Sequence, residues 1–384
     1  MKIKKFIKQL YIGRFCSIYS KQYANMLKVN NIPNASSPGE EKWGGYWKTL
    51  GVNPLKETYR VFYQYMGDDL KILPETTCHY VIEPILNPEK MVGFYSDKNF
   101  FERILPAGFC PKTILRKIQG YYYDCNYQRT DIDSKTLDSL LDNCCADKII
   151  VKPSIESCSG NGVELFCKHD GGFIHAKNNV KLTYDWLEKN GGSDFILQEA
   201  IVQSDFMSQF CDTSVNTLRL AVYRSVKDEE CHVIASVMRI GSKGNYVDNG
   251  HAGGRFVGIS KSGKMGNVVF DQYGVKQNVF NGVDFSKYNF TVPNWDKIVG
   301  FAKEVGKCVA HHRLLALDVA IQKNGDPILI EYNINGFSMW LFQFTGQPAL
   351  GEYTEEIKEY CEKHLSDNTL ALYIKKTRMK KYVL

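Results

Sequence analysis

The feature that most constrains the fold of this chain is a pair of apolar segments near the C-terminus, joined by Asn324–Gly325. An Asn-Gly pair between two apolar runs is a strong signal for a β-hairpin with a two-residue loop. In that hairpin Lys323 pairs with Asp326, and the same register places Asp318 directly opposite Glu331. Their Cβ atoms would lie about 5 Å apart. The sequence therefore predicts two facing carboxylates on strands that are otherwise almost wholly apolar.

Two facing carboxylates predict a metal ion between them. Like charges directly opposite each other destabilise a sheet, and a divalent cation removes this conflict. Asn333 lies on the same face as Glu331, two residues further along the strand. Hard cations bind carboxylate and amide oxygens, so we predict that Asp318, Glu331 and Asn333 bind Mg²⁺, which normally brings phosphates with it. The alternative is a solvated acidic pair or one protonated carboxyl group.

The composition is that of an ordinary globular protein. A chain of 384 residues is long enough for two or three subdomains with cores of their own. The twelve cysteines include no Cys-x-x-Cys pair, so we expect reduced thiols in a cytoplasmic protein. The sequence shows no apolar stretch long enough to span a bilayer and no signal-peptide pattern.

The net charge of +6 is too small to indicate a nucleic-acid partner, and the basic excess is partly terminal. Residues 1–14 place basic side chains around apolar ones at spacings of three and four, and residues 375–381 are again rich in Lys and Arg. A basic amphipathic end is able to rest on the inner face of an anionic membrane. A docked terminal helix with a solvated face is the alternative.

The apolar periodicity divides the chain into a partly helical region up to about residue 95 and a strand-rich remainder. A helix is predicted to begin near residue 96, with Ser96 or Asp97 as its N-cap. Hairpins outnumber crossover helices, so we predict an α+β fold with largely antiparallel sheets and not a doubly wound fold. Strands are predicted at 148–153, 163–166, 173–175, 195–201, 217–224 and 232–240, and helices at 184–189 and 294–311.

A small-residue loop between two predicted strands is a candidate phosphate site. It spans Ser154–Gly162, and its backbone N–H groups are able to form an anion nest. It is not a Walker loop, because no Gly-Lys-Ser/Thr follows, and an ordinary hairpin tip is the alternative. Lys152 ends the preceding apolar strand and would supply a point charge to a polyphosphate. Lys98, in the first turn of the predicted helix, is a second candidate, with simple solvent exposure as its alternative.

A second long loop, Gly241–Gly254, follows Arg239 and contains Asp248, Asn249 and His251. Loops of this length in compact domains are usually functional or disordered. Its position suggests that these three side chains bind the substrate that accepts the phosphoryl group, and a flexible connection is the alternative.

In order and spacing these segments resemble the ATP-grasp superfamily, and two of them resemble its sugar-transfer-associated branch, found in surface-polysaccharide gene clusters. The resemblance covers roughly residues 75–350. It implies the ATP-grasp fold, in which two α+β subdomains hold Mg-ATP between them. The superfamily segments are Lys152–Ser154 with its glycine loop, Gln198–Ile201, and Asp318 with Glu331-x-Asn333; the branch segments are Ser214–Arg219, Arg239–Gly241 and Val247–Gly254.

The resemblance also implies roles for individual residues and a division of the chain. The implied domains are an N-terminal region at 1–95, a nucleotide-binding subdomain at 96–205, a metal-binding subdomain at 206–350, and a C-terminal helix and basic tail at 351–384. The implied ligands are Lys98 and Lys152 for the ATP phosphates, Gly160 and Gly162 in the loop above them, Glu199, Ala200 and Ile201 for adenine, Asp205 for ribose, and Asp318, Glu331 and Asn333 for one or two magnesium ions.

One position departs from the family pattern. Many ATP-grasp ligases carry an arginine two residues before the first metal-binding aspartate, where it stabilises an acyl phosphate, and this chain has Ala316 there. Arg219 or Arg239 would have to supply that charge from neighbouring strands.

The resemblance implies a carboxylate–amine ligase that uses ATP and Mg²⁺. ATP phosphorylates a carboxylate, and an uncharged amine, its proton taken by a group such as Asp248, displaces phosphate to form an amide. The implied partners are an amine and a small or glycan-linked carboxylate, such as a uronic acid in capsule or other surface-polysaccharide synthesis. The alternatives are a kinase-like phosphotransferase acting on a sugar hydroxyl and a non-catalytic ATP-binding scaffold.

Overall fold

The computed structural model describes residues 17–155, 162–244 and 253–365. The basic segments at 1–14 and 375–381 lie outside these ranges, as do Gly160, Asp248, Asn249 and His251. Within the described ranges every cysteine is a free thiol, and no helix is long and apolar enough to cross a membrane.

The N-terminal part is helical, and two further helices pack near the C-terminus. A π-helical turn at Cys78–Ile82 joins α4 to α5, and a 3₁₀ turn at Lys98–Phe100 precedes α7. The helices are α1 (17–29), α2 (Glu40–Lys48), α3 (Lys56–Met66), α4 (Glu75–Thr77), α5 (Glu83–Leu86), α6 (Val92–Ser96), α7 (Phe101–Ile104), α8 (Ser134–Asp142), α9 (Tyr184–Asn190), α10 (Asp205–Ser208), α11 (Trp295–Cys308), α12 (Trp340–Phe344) and α13 (Thr354–Lys363).

The first sheet has six strands in the order β2-β1-β6-β3-β4-β5, and all of its pairs are antiparallel. Apolar side chains from alternate strand positions, such as Ile149 and Val151, pack against α8 and α9 in one core. The strands are β1 (Thr113–Ile118), β2 (Tyr121–Tyr123), β3 (Lys148–Pro153), β4 (Glu164–His169), β5 (Gly172–His175) and β6 (Phe195–Glu199).

The second sheet has seven strands in the order β11-β10-β9-β8-β7-β14-β15, again with antiparallel pairs. A separate two-stranded ribbon pairs β12 with β13. The strands are β7 (Thr217–Arg224), β8 (Cys231–Ile240), β9 (Arg255–Gly258), β10 (Val269–Phe270), β11 (Lys276–Gln277), β12 (Val279–Phe280), β13 (Val283–Asp284), β14 (Leu314–Ile321) and β15 (Pro327–Asn333).

Helices cover both faces of the second sheet. The amphipathic α11 packs its apolar stripe against one face, in a core that includes Leu317 and Val319. The N-terminal helices cover the other face, where Trp43 and Trp47 share a core with Ala221 and Ala316. Asp318 lies two residues after Ala316, and Arg219 lies two residues before Ala221, so both side chains project from this second face.

The predicted pairing of Asp318 with Glu331 is confirmed, although the predicted loop is wrong. The hairpin closes on Gln322, whose N–H donates to Asp326 O over 2.8 Å, so the loop has three residues and not two. Gly325 has a φ of 86°, the left-handed conformation that such a loop requires. A bulge between Asp318 and Val319 then shifts the register by one residue and restores the predicted pair.

Candidate active site

Asp318 lies beside two arginines from neighbouring strands. It is directly opposite Arg219 in the pairing of β14 with β7. Arg219 Nε donates to Asp318 Oδ1 over 2.6 Å, and Arg219 Nη2 donates to Oδ2 over 2.8 Å. Arg239 of β8 donates through Nη1 to the same Oδ1 over 3.2 Å. Asp318 is 3% exposed and Arg219 is 7% exposed, so this is a buried cluster of charges.

The two arginines keep Asp318 ionised. Burial alone would raise the pKa of its carboxyl group, but the positive charges of Arg219 and Arg239 outweigh burial and hold the pKa below its usual value. Glu331 likewise has a cationic partner, because Lys98 Nζ lies 3.4 Å from its Oε2. Cationic side chains therefore offset the repulsion between the facing carboxylates, and this repulsion is no evidence for a metal ion.

The chemistry of the donor set nevertheless fits Mg²⁺. Asp318 and Glu331 are paired residues, Asn333 follows on the same strand, and all three carry oxygen donors of the kind that Mg²⁺ takes. A carboxylate offers about four lone-pair sites. Asp318 Oδ1 accepts from both arginines, and Oδ2 accepts from Arg219 and, over 3.5 Å, from Asn333 Nδ2. A metal at Asp318 therefore requires at least one of these donors to move.

This site is not a cluster of the usual structural-metal type. In the described parts of the chain, no three His, Cys, Asp or Glu side chains lie together as metal ligands. A metal ion would therefore depend on two carboxylates, one amide and groups that a ligand brings.

Lys152 joins this site from the first sheet. It lies in β3 and is half-buried. Burial lowers the pKa of its ammonium group to about 8, repulsion from Lys98 adds to the effect, and Glu331 and Cys110 act in the opposite direction. Lys98, Lys152 and Glu331 are thus close enough to influence one another's charge, and the structure brings the predicted phosphate lysines to the predicted metal hairpin.

The turn that carries Lys98 is tied to the strand that carries Lys152. Asp97, one of the two predicted N-caps, caps the 3₁₀ turn, and its side chain accepts the N–H of Asn99 over 2.9 Å. The N–H of Lys98 donates to the carbonyl group of Ser154 over 2.9 Å, two residues after Lys152. The two lysines are therefore held in a fixed relation by the backbone.

Gly162 ends the predicted phosphate loop in a conformation that requires glycine. Its φ is 74°, and a Cβ there would lie 2.8 Å from Pro153 Cγ. Gly162 thus packs closely against Pro153 at the end of β3.

The predicted adenine linker follows β6. The N–H of Glu199 donates to Lys112 O, and the N–H of Ala200 donates to Lys148 O, both over 2.9 Å. The Glu199 side chain also pairs with Lys112 over 2.8 Å. Because the sheet uses both N–H groups, an adenine at this linker would have to use carbonyl groups or N–H groups from Ile201 onward.

The linker is hydrogen-bonded to the tip of the β14–β15 hairpin. Ser204 N–H donates to Ile321 O over 2.8 Å, and Lys323 N–H donates to Val202 O over 2.9 Å. Asp205, the predicted ribose ligand, begins α10 with an exposed carboxylate that forms an ion pair with Lys323. A ribose contact would therefore compete with this exposed pair.

The root of the predicted substrate loop is fixed by two asparagines. The N–H of Gly241 donates to Asn216 Oδ1 over 3.1 Å, and its carbonyl group accepts from Asn281 Nδ2 over 2.8 Å. Asn216 is fully buried and also bonds to Gln203, just after the linker. Asp248, Asn249 and His251 themselves lie outside the described residues, so their role stays a prediction.

The N-terminal region contains a buried polar cluster that was not predicted from the sequence. His79 lies between Glu83, 3.1 Å from its Nδ1, and Glu75, 3.3 Å from its Nε2. Glu83 also accepts the N–H of Phe337 over 2.8 Å, four residues after Asn333. The spacing of four residues between the three side chains was the available signal.

A comparison of the sequence with protein-family models identifies the family of this chain. Residues 80–359 match the family model described as sugar-transfer-associated ATP-grasp. The match covers more than half of the chain, so the chain belongs to this family. It confirms the resemblance and the α+β ATP-grasp fold, and ATP with Mg²⁺ are the cofactors that this family implies. A comparison with curated proteins finds no match.

Several solved structures are similar to the chain. The ATP-grasp ligase PsnB, in complex with a phosphomimetic variant of its minimal precursor, Mg and ADP, is 11% identical with a TM-score of 0.40, over 72% of this chain and 62% of PsnB. The D-alanine-D-alanine ligase from Coxiella burnetii is 12% identical with a TM-score of 0.37, over 74% and 62%. The L-amino acid ligase from Bacillus licheniformis is 11% identical with a TM-score of 0.32, over 66% and 46%.

The chain spans less than two thirds of each of these three proteins. Because the TM-scores lie below 0.5, the assignment rests on the family match.

Proposed function

We propose that the chain is an ATP- and Mg²⁺-dependent carboxylate–amine ligase that works through an acyl phosphate. The observation that carries this proposal is the contact of Arg219 and Arg239 with Asp318. These arginines place positive charge beside Asp318, whereas many ATP-grasp ligases carry an arginine two residues before this aspartate and this chain has Ala316 there. A ligase needs that charge, because phosphorylation of a carboxylate builds negative charge on the transferred group and its acceptor.

In this proposal Lys98 and Lys152 hold the polyphosphate of ATP. Their ammonium groups approach from two different elements, and Gly162 lines the same pocket as Lys152. Such fixed charges stabilise a phosphoryl group in transfer without reorganising. Glu199, Ala200 and Ile201 would line the adenine and Asp205 the ribose.

Asp318, Glu331 and Asn333 would hold Mg²⁺, which would neutralise charge on the phosphates. The residues of the chain do the rest of the work. Arg219 and Arg239 both donate to Asp318, and an arginine released from this carboxylate by Mg²⁺ would be able to hold an anionic acceptor. Arg239 is the better candidate, because its hydrogen bond to Asp318 is 3.2 Å long, whereas Arg219 donates two shorter ones to the same carboxylate.

The charges of the site favour an anionic acceptor. Four cationic side chains lie around two carboxylates: Lys98, Lys152, Arg219 and Arg239 around Asp318 and Glu331. We propose that the acceptor is the carboxylate of a uronic acid or a related sugar acid in surface-polysaccharide synthesis. Asp248, Asn249 and His251 would contact it, and Asp248 would take the proton of the incoming amine. The support for this substrate is the family description.

The proposal extends to the organisation of the protein. The nucleotide-binding subdomain would be residues 96–205 and the metal-binding subdomain residues 206–350, between a helical region and a basic tail. The protein would work in the cytoplasm, with its basic termini resting on the inner face of the membrane.

Phosphate release tests the reaction. With ATP, Mg²⁺ and a panel of sugar acids and amines, a ligase releases ADP and free phosphate only when both a carboxylate and an amine are present. Hydroxylamine should trap the activated carboxylate as a hydroxamate. A phosphorylated sugar that accumulates without free phosphate would instead identify a phosphotransferase, the candidate that Ala316 favours.

A further inference from the structure

A buried arginine, Arg116, is hydrogen-bonded to the backbone of the turn that carries Lys98. The carbonyl group of Asn99, the residue after Lys98, accepts from Arg116 Nη1 over 2.6 Å and from the hydroxyl group of Tyr127 over 2.7 Å. Asn99 Nδ2 in turn donates to the carbonyl group of Lys117 over 3.1 Å. Asn99 and Arg116 are both 0% exposed. Backbone and side chain of this residue are therefore fixed to β1.

Burial of the Arg116 side chain costs free energy. A fully buried guanidinium loses its hydration, and a buried ion pair is often no more stabilising than apolar residues of similar volume. Arg116 is paired with Glu102, and its guanidinium carbon lies 3.8 Å from the centre of the Tyr127 ring. Within the described residues its Nε has no hydrogen-bond partner. The cost therefore indicates that this arginine sets a conformation rather than adding stability.

The fixed conformation is that of a residue in the proposed phosphate site. Lys98 is one residue before the Asn99 carbonyl group, and its own N–H is bonded to Ser154 O. The backbone of Lys98 is thus clamped between β1 and the end of β3, and its ammonium group reaches Glu331. Preorganised charge is worth more to catalysis than charge that must be ordered when the ligand arrives.

We propose that Arg116, together with Tyr127, is a positioning residue for Lys98. Arg116 touches no ligand in this proposal. It holds the Asn99 carbonyl group and so fixes the direction in which Lys98 presents its charge to the phosphates of ATP. The inference rests on the proposed function, because it takes Lys98 as a phosphate ligand.

The test is a double-mutant cycle on nucleotide affinity. Arg116→Lys keeps a positive charge for Glu102 but loses the planar fork that also reaches Asn99. Tyr127→Phe removes only the hydroxyl donor. We expect Arg116→Lys to weaken binding of Mg·AMPPNP, measured by calorimetry, roughly tenfold, and Tyr127→Phe roughly threefold. In a Lys98→Ala background neither substitution should weaken binding further.

Tyr122→Phe is the matched control. Tyr122 lies in β2 of the same sheet, and its hydroxyl group donates to Glu188 over 2.5 Å and not to Asn99. Its affinity for Mg·AMPPNP should equal that of the wild type. If Arg116→Lys does not fold, Tyr127→Phe completes the cycle alone.

The outcomes are distinct. Wild-type affinity for Mg·AMPPNP in Lys98→Ala would show that Lys98 does not bind the phosphates. It would reject that part of the proposed function. A clear loss in Lys98→Ala, combined with equal losses for Tyr127→Phe or Arg116→Lys in both backgrounds, would overturn the positioning role while leaving the phosphate site in place.

Discussion

Asp318 and Arg219 face each other across β14 and β7 and share two hydrogen bonds of 2.6 and 2.8 Å. Removing one partner of a buried ion pair leaves the other charge uncompensated, at a cost of about 3–5 kcal/mol. We therefore expect Asp318→Asn to lower the free energy of unfolding by this amount in urea titrations. Glu331→Gln is the control: its side chain is 30% exposed, so the loss should stay below about 1 kcal/mol. Equal losses in the two variants would contradict this assignment.

The metal site predicts a different pattern for turnover. Both Asp318→Asn and Glu331→Gln remove a charged side chain of the proposed Mg²⁺ site, so each should abolish ATP-dependent phosphate release at any Mg²⁺ concentration. Glu331→Gln is the informative variant, because its fold should be nearly unaffected. Magnesium-dependent activity in that variant would remove Glu331 from the metal site.

Lys152 is expected to bind the nucleotide phosphates. Lys152→Ala should reduce the increase in melting temperature that Mg·AMPPNP produces, because ligand bound to the native state raises its stability by mass action. Lys148→Ala is the matched control, since Lys148 begins the same strand and is exposed. The same thermal shift in Lys152→Ala and in the wild type would place Lys152 away from the phosphates.

The lowered pKa of Lys152, about 8, predicts a pH dependence of nucleotide binding. The phosphates favour the charged amine, so Mg·AMPPNP should bind with proton uptake near pH 8, and affinity should fall as the pH rises through this value. Calorimetry in two buffers of different ionisation enthalpy measures the uptake. Lys152→Ala should abolish it, and Lys148→Ala should retain it.

The same lowered pKa affects stability in the absence of nucleotide. The unfolded chain, with a lysine pKa of about 10.4, binds more protons than the folded chain between about pH 8 and 10. The Lys152 contribution to stability should therefore rise with pH in this window. A contribution that falls with pH there, measured as the difference between wild type and Lys152→Ala, would contradict the direction of the shift.

Arg239 should contribute more to the transition state than to ATP binding. On the proposed mechanism, Arg239→Ala lowers kcat by more than tenfold with little change in the KM for ATP, because its contact strengthens as charge develops. Initial rates of phosphate release across ATP concentrations separate the two parameters. A raised KM with an unchanged kcat would make Arg239 a nucleotide ligand.

Local patterns predicted β3 to β8 and the β14–β15 hairpin, but not β1, β2 or β9 to β13. β3 and β7 have the predicted bounds, and α11 lies within its predicted range. The pairing of Asp318 with Glu331 was also predicted correctly, but two irregularities that cancel each other produced it. Neither the three-residue loop nor the compensating bulge has a marker in the residue pattern, since Asn-Gly is compatible with both loop lengths.

The surroundings of the carboxylates were not predictable in this way. Arg219 precedes Asp318 by 99 residues, and Lys98 precedes Glu331 by 233, so no local periodicity connects them. The partners of a charge that projects from a sheet depend on strand order, which the alternation of apolar residues leaves open. For the same reason nothing in the sequence marks Arg116 as a support for the turn of Lys98, and β1, which carries Arg116, was not among the predicted strands.

The N-terminal helices share their core with the face of the second sheet that carries Asp318. The family match begins at residue 80, whereas Trp43, Trp47 and Phe62, all 0% exposed, belong to that core. A fragment that begins at residue 80 would lack these helices. It would expose the apolar sheet surface around Ala316, two residues before Asp318, to water. The segment that matches the ATP-grasp family model is therefore shorter than the segment that forms this core.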